Sequence, residues 1–433
     1  MAAIYILRRP HAGGWLVTEV RFNCAGPALL CGAVRRIAAS ALLLLAACAL
    51  VAGCGGKATT LIVTRTSAAS SPVTVAAGIG FPVLATKNTT RVSGSDPVAD
   101  AAGVALAVYP SAAPRTHPTA VTVAPSDDWQ AAIASSVLMA PPIRAPVLLS
   151  PRAALPAVTQ NALNLLAPTG AGPLAGAQLV RIGDVPTIKG LRAAAVSGRG
   201  PYALAAAIDR FDSAAAGKPS PDVVIASGDD PAYAMPAAGW AAESGNPVLF
   251  VTSSGVPPAT QQALISHQRP HIYVLGPPSV IPNRVLAQLR RYGTVHRIQG
   301  ADAAANSVAF AVYRDPPCPF GQPCAHVPGS FGWAMRSPGH GYTLINSGRP
   351  LDAAASAALS ASGSYGPQLV LSSADELPSA VLNFFLDYAT PGYTQEGPTA
   401  AVYNHGWVIG DPSTISVSVQ AEMDSLLEVV PQK

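Results

Sequence analysis

The sequence predicts an α/β fold of three tandem Rossmann-like three-layer modules, each a parallel sheet between layers of helices. Three observations carry that expectation. The strands read as short continuous aliphatic runs, such as DVVIAS from Asp222 and HIYVLG from His271, the pattern of parallel strands buried on both faces. Alanine-rich helical stretches alternate with them, which at these lengths means βαβ units with right-handed crossovers. The whole pattern then recurs at a spacing of about one hundred residues.

Composition agrees. Of 433 residues, 49% are hydrophobic and only 12% charged, which excludes a disordered or solvating chain. The 42 prolines and 38 glycines fall between apolar runs, where they read as turns. Aromatic residues are 6% and alanine is abundant, so the cores are expected to be small side chains packed closely. Five of the 27 basic residues and one of the 23 acidic ones precede Cys54, so the remainder is balanced in charge. That balance gives no bulk electrostatic case for nucleic acid as a partner.

From Arg35-Arg36 the chain runs IAASALLLLAACALVAG into Cys54. Two arginines, an apolar stretch and small residues are the parts of a secretory signal, and the stretch is short for a membrane span. The tetrad Val51-Ala52-Gly53-Cys54 resembles the bacterial lipobox. That resemblance implies a lipidated Cys54 at the new N-terminus, carrying diacyl or palmitoyl chains. Residues 1–53 are therefore expected to be the signal peptide. Residues 1–34 precede the arginine pair that should open it, so the true initiator is expected near Val34. Residues 54–87, rich in Thr, Ser, Ala and Pro, read as the lipidated cysteine and a flexible tether, although LIVT could pair as a strand. An exported chain with Cys318 and Cys324 six positions apart is expected to close a small disulfide loop (CPFGQPC).

Three blocks then recur in order. The first is a small-residue segment ending in Gly and leading into a helix: TRVSG from Thr90, AAAVSG from Ala193 and VHRIQG from Val295, with glycines at 94, 198 and 300. The second is strand, polar turn, alanine-rich helix, strand: VTVAPSDDWQAAIASSVLMAPPIRAPVLLS, VVIASGDDPAYAMPAAGWAAESGNPVLFVT and TLINSGRPLDAAASAALSASGSYGPQLVLS. The third is a helix and a strand closing on Gly, as in VPPATQQALISH to IYVLGP. The modules are expected over 88–188, 189–293 and 294–433.

The order R-(I/V)-x-G-x-D, A-S-G-D-(D/N), P-V-L-L and a strand closing on G resembles the cell wall-binding repeat 2 family, tandem modules of surface proteins in Gram-positive bacteria. The resemblance covers residues 90 to about 415. It implies three modules about a pseudo-threefold axis that bind an anionic secondary polymer of the cell wall non-covalently; because the repeats take up the chain, no separate catalytic domain is expected. The family's P-(I/V)-L-L strand, associated with polymer binding, stands here at Pro146-Val147-Leu148-Leu149, Pro247-Val248-Leu249-Phe250 and Pro367-Gln368-Leu369-Val370. The departures are definite. The family's Asp-Ala-Leu becomes Gln130-Ala131-Ala132 and Tyr233-Ala234-Met235, and only Asp352-Ala353-Ala354 keeps the acid. The arginine before the first glycine is present as Arg91 and Arg297, but is Ala194 or Ala195 in the second unit.

Other chemistry is poorly supported. Gly198-x-Gly200-x-x-Ala203 outlines a dinucleotide fingerprint, but the acidic residue about 20 positions on is missing. Asp127-Asp128 and Asp229-Asp230 sit at strand-to-helix turns, where they either face a ligand or cap a helix. Trp129 and Trp240 either stack on sugar rings or pack in the core. No nucleophile elbow, zinc-protease helix or phosphate-cradling loop occurs, so neither an enzyme nor a cofactor nor a metal is expected. The expected polymer contacts are Arg91, Arg144, Pro146, Asp229, Asp230, Pro247, Arg297, Arg349 and Pro367. The expected function is that of a wall-binding lipoprotein on the outer face of the membrane. Two alternatives stay open: a membrane-anchored solute receptor, and a scaffold whose polymer sites have decayed.

Overall fold

The computed structural model describes residues 3–8, 16–21, 82–317, 329–362, 364–393 and 401–431. Cys54, the signal stretch, most of the tether and the Cys318–Cys324 pair lie outside them. The chain divides into two compact units, Met1–Ser71 and Pro72–Lys433. In the first, β1 (Ala3–Arg8) and β2 (Leu16–Arg21) pair antiparallel. Among the described residues no helix is long and apolar enough to cross a membrane.

The second unit is α/β and holds three main sheets, parallel but for one antiparallel edge strand. The expected tether ends inside it: β3 (Pro82–Ala85) pairs antiparallel with β4 (Thr89–Val92), so its last residues are sheet, not free chain. The first sheet takes β5 (Val121–Pro125), β6 (Val147–Ser150), β7 (Leu179–Ile182) and β8 (Ala193–Val196) in the order β6-β5-β7-β8. The second takes β9 (Asp222–Ser227), β10 (Val248–Val251), β11 (His271–Leu275) and β12 (Thr294–Ile298) in the order β10-β9-β11-β12. In the third, β13 (Gly341–Asn346), β14 (Gln368–Leu371), β15 (Gly392–Tyr393, outside the sheet) and β16 (His405–Ile409) follow in the chain. Its order is β14-β13-β16-β4-β3, and β15 pairs instead with β17 (Val430–Pro431).

The side-chain period of two explains the three layers. In the second sheet Val223 and Ile225, Leu249 and Val251, and Ile272 and Val274 face one cluster, closed by Leu264, Val285 and Leu289 of the outer helices. Their neighbours Val224, Ala226, Val248, Phe250, Tyr273 and Leu275 face the large central core. Burial on both faces is what made these strands read as continuous aliphatic runs.

The fourth strand of each sheet did not read that way. Edge strands β8 and β12 are largely half-buried or exposed and run AAAV and TVHRI, so no aliphatic signal marks them. Each ends a sheet, and the helix that follows crosses to the next. Helix α1 (Pro97–Val108) packs on β6, a long helix (Pro201–Ala216) on β10, and a third (Ala303–Ala311) on β14. The recurrent glycine makes that crossing possible. A Cβ at Gly94, Gly198 or Gly300 would lie 2.5, 2.6 or 2.1 Å from the backbone nitrogen of Asp100, Leu204 or Asn306.

The same rule closes the unit on itself, because β4, from the start of the unit, supplies the fourth strand of the last sheet. Side chains fasten it. Asp424 Oδ1 accepts from Asn88 N at 2.7 Å, Asn88 Nδ2 donates to Asp424 O at 3.0 Å, and Lys87 pairs with Glu428.

At the centre, three alanine-rich helices pack together: Trp129–Ser135 with its continuation Ser136–Met139, Pro236–Ser244 and Leu351–Ala361. Their contact faces are alanine because the backbones approach closely. A Cβ at Gly239 would lie 2.6 Å from Ser360 Oγ. Gln368, which breaks the third P-V-L-L strand, is buried here. It accepts from Gly239 N at 3.0 Å and donates to Ala353 O at 2.7 Å and Ser356 Oγ at 2.9 Å. A first-turn amide of one repeat is thereby satisfied by a side chain of another.

Candidate functional site

In open α/β sheets ligands usually sit at the carboxyl ends of the strands, where the strand order reverses. Around the glycine that follows the third strand of each sheet, other protein atoms approach closely. Beyond β7, Leu204 stands 3.2 Å from where a Cβ of Gly183 would be. Beyond β11, Val280 and Tyr233 cover Gly276, and beyond β16, Thr414 and Arg349 cover Gly410.

The arginines explain much of this. Arg91 is completely buried on β4. Its guanidinium donates to Gln420 Oε1 at 2.9 Å, Gly410 O at 2.8 Å, Asp411 O at 3.2 Å and Ser416 O at 3.2 Å. Burial lowers its pKa to about 10. Arg297, at the matching position on β12, is half-buried and donates to Gly276 O, to Ile281 O at 2.7 Å and to Asn283 Oδ1 at 3.3 Å. Both clamp the loop that follows the third strand of a sheet.

The first sheet has Ala195 in that place, yet keeps the arginine. Ala195 pairs in register with Arg181 of β7, just as Arg297 pairs with Val274 and Arg91 with Val408. Arg181 donates to Val185 O at 2.6 Å, in the equivalent loop. The charge has moved one strand across and does the same work. Sequence comparison at a single aligned column missed it. Arg91 therefore spends its donors within the fold, and Arg297 does the same.

Several other expected contacts are likewise engaged within the fold. Pro146, Pro247 and Pro367 are buried. Each immediately precedes an outer strand, where its lack of an amide hydrogen costs nothing. Their carbonyls accept from Thr122 N at 2.9 Å, Val224 N at 2.9 Å and Thr343 N at 3.1 Å. Asp230 caps a helix, accepting from Ala232 N at 3.2 Å, and Asp128 does the same for Ala131 N at 2.9 Å. Asp229 is exposed and accepts from Ser253 N at 2.6 Å, while Asp127 faces Arg152 at 3.2 Å. Trp240 is buried, edge-on to Phe331 at 5.0 Å and Trp333 at 5.1 Å, and Trp129 stands edge-on to Phe250 at 5.6 Å. Both tryptophans belong to the core.

Arg349 lies at the seam between the third sheet and α1. It pairs with Asp100 of α1, faces Asp352 at 2.9 Å and donates to Thr414 Oγ1 at 2.7 Å. Both carboxylates are completely buried. Burial raises Asp100 and lifts Asp352 to about 7, against the pull of the guanidinium. Arg349 is mostly spent on the seam, so of the four expected arginines only Arg144 is exposed to solvent.

Arg144 lines a composite pocket of about 170 Å³ together with Met139, Pro141, Ala242, Glu243, Ala361 and Ser362. Each of the three central helices contributes, from its last turn or just beyond it. Arg144 is held at φ +57°, a left-handed conformation that a non-glycine residue rarely adopts. Burial raises the half-buried Glu243 carboxyl. Sequence reasoning named Arg144 but missed Glu243 and Ser362, whose only signal is their shared position shortly before the P-V-L and P-Q-L strands. Among the described residues no group of three or more His, Cys, Asp or Glu is placed to hold a metal ion.

Comparison with known proteins agrees with this architecture. The family described as cell wall binding domain 2 matches residues 196–286. Two solved structures share the fold. Cwp6 from Clostridium difficile is 13% identical, with a TM-score of 0.57 over 79% of this chain and 48% of its own. Cwp8 from the same organism is 14% identical, with a TM-score of 0.56 over 79% of this chain and 53% of its own. This chain thus spans about half the length of either protein. No curated protein sequence matches it. Residues 196–286 thus match the model of the cell wall binding domain 2 family, in a chain that shares its α/β fold with Cwp6 and Cwp8.

Proposed function

We propose that this protein binds the cell wall without catalysing a reaction. In this reading its three repeats, over 88–188, 189–293 and 294–433, hold a wall polymer non-covalently, and a lipid on Cys54 keeps it at the outer face of the membrane. The observation that carries the reading is the match of residues 196–286 to the cell wall binding domain 2 family. The equal strand order of all three sheets supports extending it to the whole unit, and the lipobox-like Val51-Ala52-Gly53-Cys54 supports the anchor.

The anchor and the wall attachment separate in one experiment. Cells expressing the chain or its Cys54→Ala variant are labelled with an alkyne palmitate analogue and then fractionated. Label on the wild type alone, with both proteins retained by the wall fraction, is the expected result. Equal labelling of both would contradict the anchor, and loss of both from walls would contradict the binding.

A further inference from the structure

The fourth strands of the three sheets, β8, β12 and β4, are equivalent, yet their outer edges are treated differently. An edge strand offers unpaired amide and carbonyl groups to any extended chain, and proteins blunt it by covering it or by placing charge on it. The register shows which groups β8 offers. The carbonyls of Arg192 and Val196 accept from Gln178 N and Gly183 N, both at 2.8 Å, so Ala194 between them also faces β7. Ala193 and Ala195 therefore turn their N–H and C=O outward. On β4 the matching groups are taken. Asn88 O and Val92 O accept from Gly406 N at 2.8 Å and Gly410 N at 2.9 Å, while Thr89 O accepts from Thr86 N at 2.9 Å beside β3, which pairs antiparallel along this edge. The edge of β12 carries Arg297 and His296. At β8 the residue matching Arg91 and Arg297 is Ala195, exposed like Ala193, and among the described residues no strand pairs with this edge.

Charge says what kind of strand fits. Lys189, Arg192 and Arg199 frame the bare alanines, all three exposed and none in an ion pair among the described residues. Two copies of this chain paired antiparallel about Ala194 would bring cation against cation, since Arg199 then runs towards Lys189, and like charges in opposition destabilise a strand pair. A strand with carboxylates at its ends meets the opposite charge instead. We infer that the open edge of β8 takes an added antiparallel strand from an acidic polypeptide partner, an extended segment whose carboxylates flank small or β-branched residues. Main-chain hydrogen bonds to Ala193 and Ala195 hold it, and the three cations select it. The pairing of β3 on β4 is the same addition made within the chain. The partner is a protein, in addition to any wall polymer.

The test is fluorescence anisotropy of the full chain with a labelled peptide EEVTVTVEE, its basic counterpart KKVTVTVKK and the interrupted EEVTPTVEE, together with amide hydrogen exchange over residues 191–197. The expected result is that EEVTVTVEE binds and slows exchange there, and that the other two bind at least about tenfold more weakly. Ala195→Pro removes one outward N–H but no bond to β7, and should weaken EEVTVTVEE by about tenfold. Arg192→Glu combined with Arg199→Glu should turn the preference towards KKVTVTVKK. If Ala195→Pro fails to fold, the charge-reversed variant carries the test alone. No binding of EEVTVTVEE, equal binding of the acidic and basic peptides, or binding that both variants leave unchanged overturns the inference. So does binding of inorganic polyphosphate that charge reversal removes, with no peptide-dependent protection over 191–197, which would make the cations a polyanion site. A wild-type dimer in sedimentation that Ala195→Pro dissociates would name a second copy as the occupant and overturn it equally.

Discussion

Arg91→Ala lowers folding stability by about 3–5 kcal/mol, the cost of removing one side of a fully buried charged network. Gln420 Oε1 and the carbonyls of Gly410, Asp411 and Ser416 lose their donor inside the protein, and nothing replaces the buried side chain. The loss falls where β4 closes the third sheet, so unfolding of the variant should begin at the junction between the two ends of the unit. Arg297→Ala, at the equivalent but half-exposed position, should cost only about 1–2 kcal/mol. Denaturant unfolding of the two variants checks the order. An Arg91→Ala protein as stable as the wild type but defective in wall binding would restore Arg91 as a ligand contact and contradict its place in the fold.

The seam at Arg349 gives the second large effect. Two buried carboxylates, Asp100 and Asp352, share one guanidinium, with Thr414 on the same arginine and the charges of Asp96, Asp411 and Arg91 nearby. Asp352 is raised from 3.8 to about 7, so between those pH values the folded chain holds a proton that the unfolded chain has released. Stability from this site is therefore full below pH ~4 and falls as pH rises towards 7, by on the order of 4 kcal/mol. Asp352→Asn mimics the protonated acid and removes its share of the dependence, leaving that of Asp100, which burial also raises. The difference in unfolding free energy between variant and wild type should rise in favour of the variant from pH 4 to 8. A difference that stays flat, or a variant several kcal/mol less stable at pH 7, would mean that Asp352 is ionised in the folded protein.

Much of this fold could be read from the residues because burial imposes a pattern. Strands such as Val223–Ala226 and Ile272–Leu275 are packed on both faces, and only an unbroken aliphatic run satisfies that. The repeated glycines were equally legible, since at Gly94, Gly198 and Gly300 no other side chain leaves room for the helix that follows. What stayed hidden was placement. The edge strands β8 and β12 carry AAAV and TVHRI, half-exposed and without a clear period. Nothing local announces that β4 belongs with a strand more than three hundred residues away.

The site was less legible than the fold. An arginine before a glycine has the same letter code whether it faces a polymer or clamps a loop, and Arg91 and Arg297 clamp loops. Arg181 shows the limit of column-by-column comparison, because the guanidinium returns from the neighbouring strand at the register position opposite Ala195. Prolines 146, 247 and 367 recur because a strand begins beside them, which is enough to explain their spacing. Glu243, Ser362 and Arg144 meet only because three helices end at one point, and that convergence is a property of the closed unit.

Wall binding itself is tested most directly by co-sedimentation of the purified chain with cell walls, before and after acid stripping of the secondary polymers. Pelleting with intact walls that disappears on stripping is the predicted result. A folded chain that pellets with neither preparation would contradict the central claim.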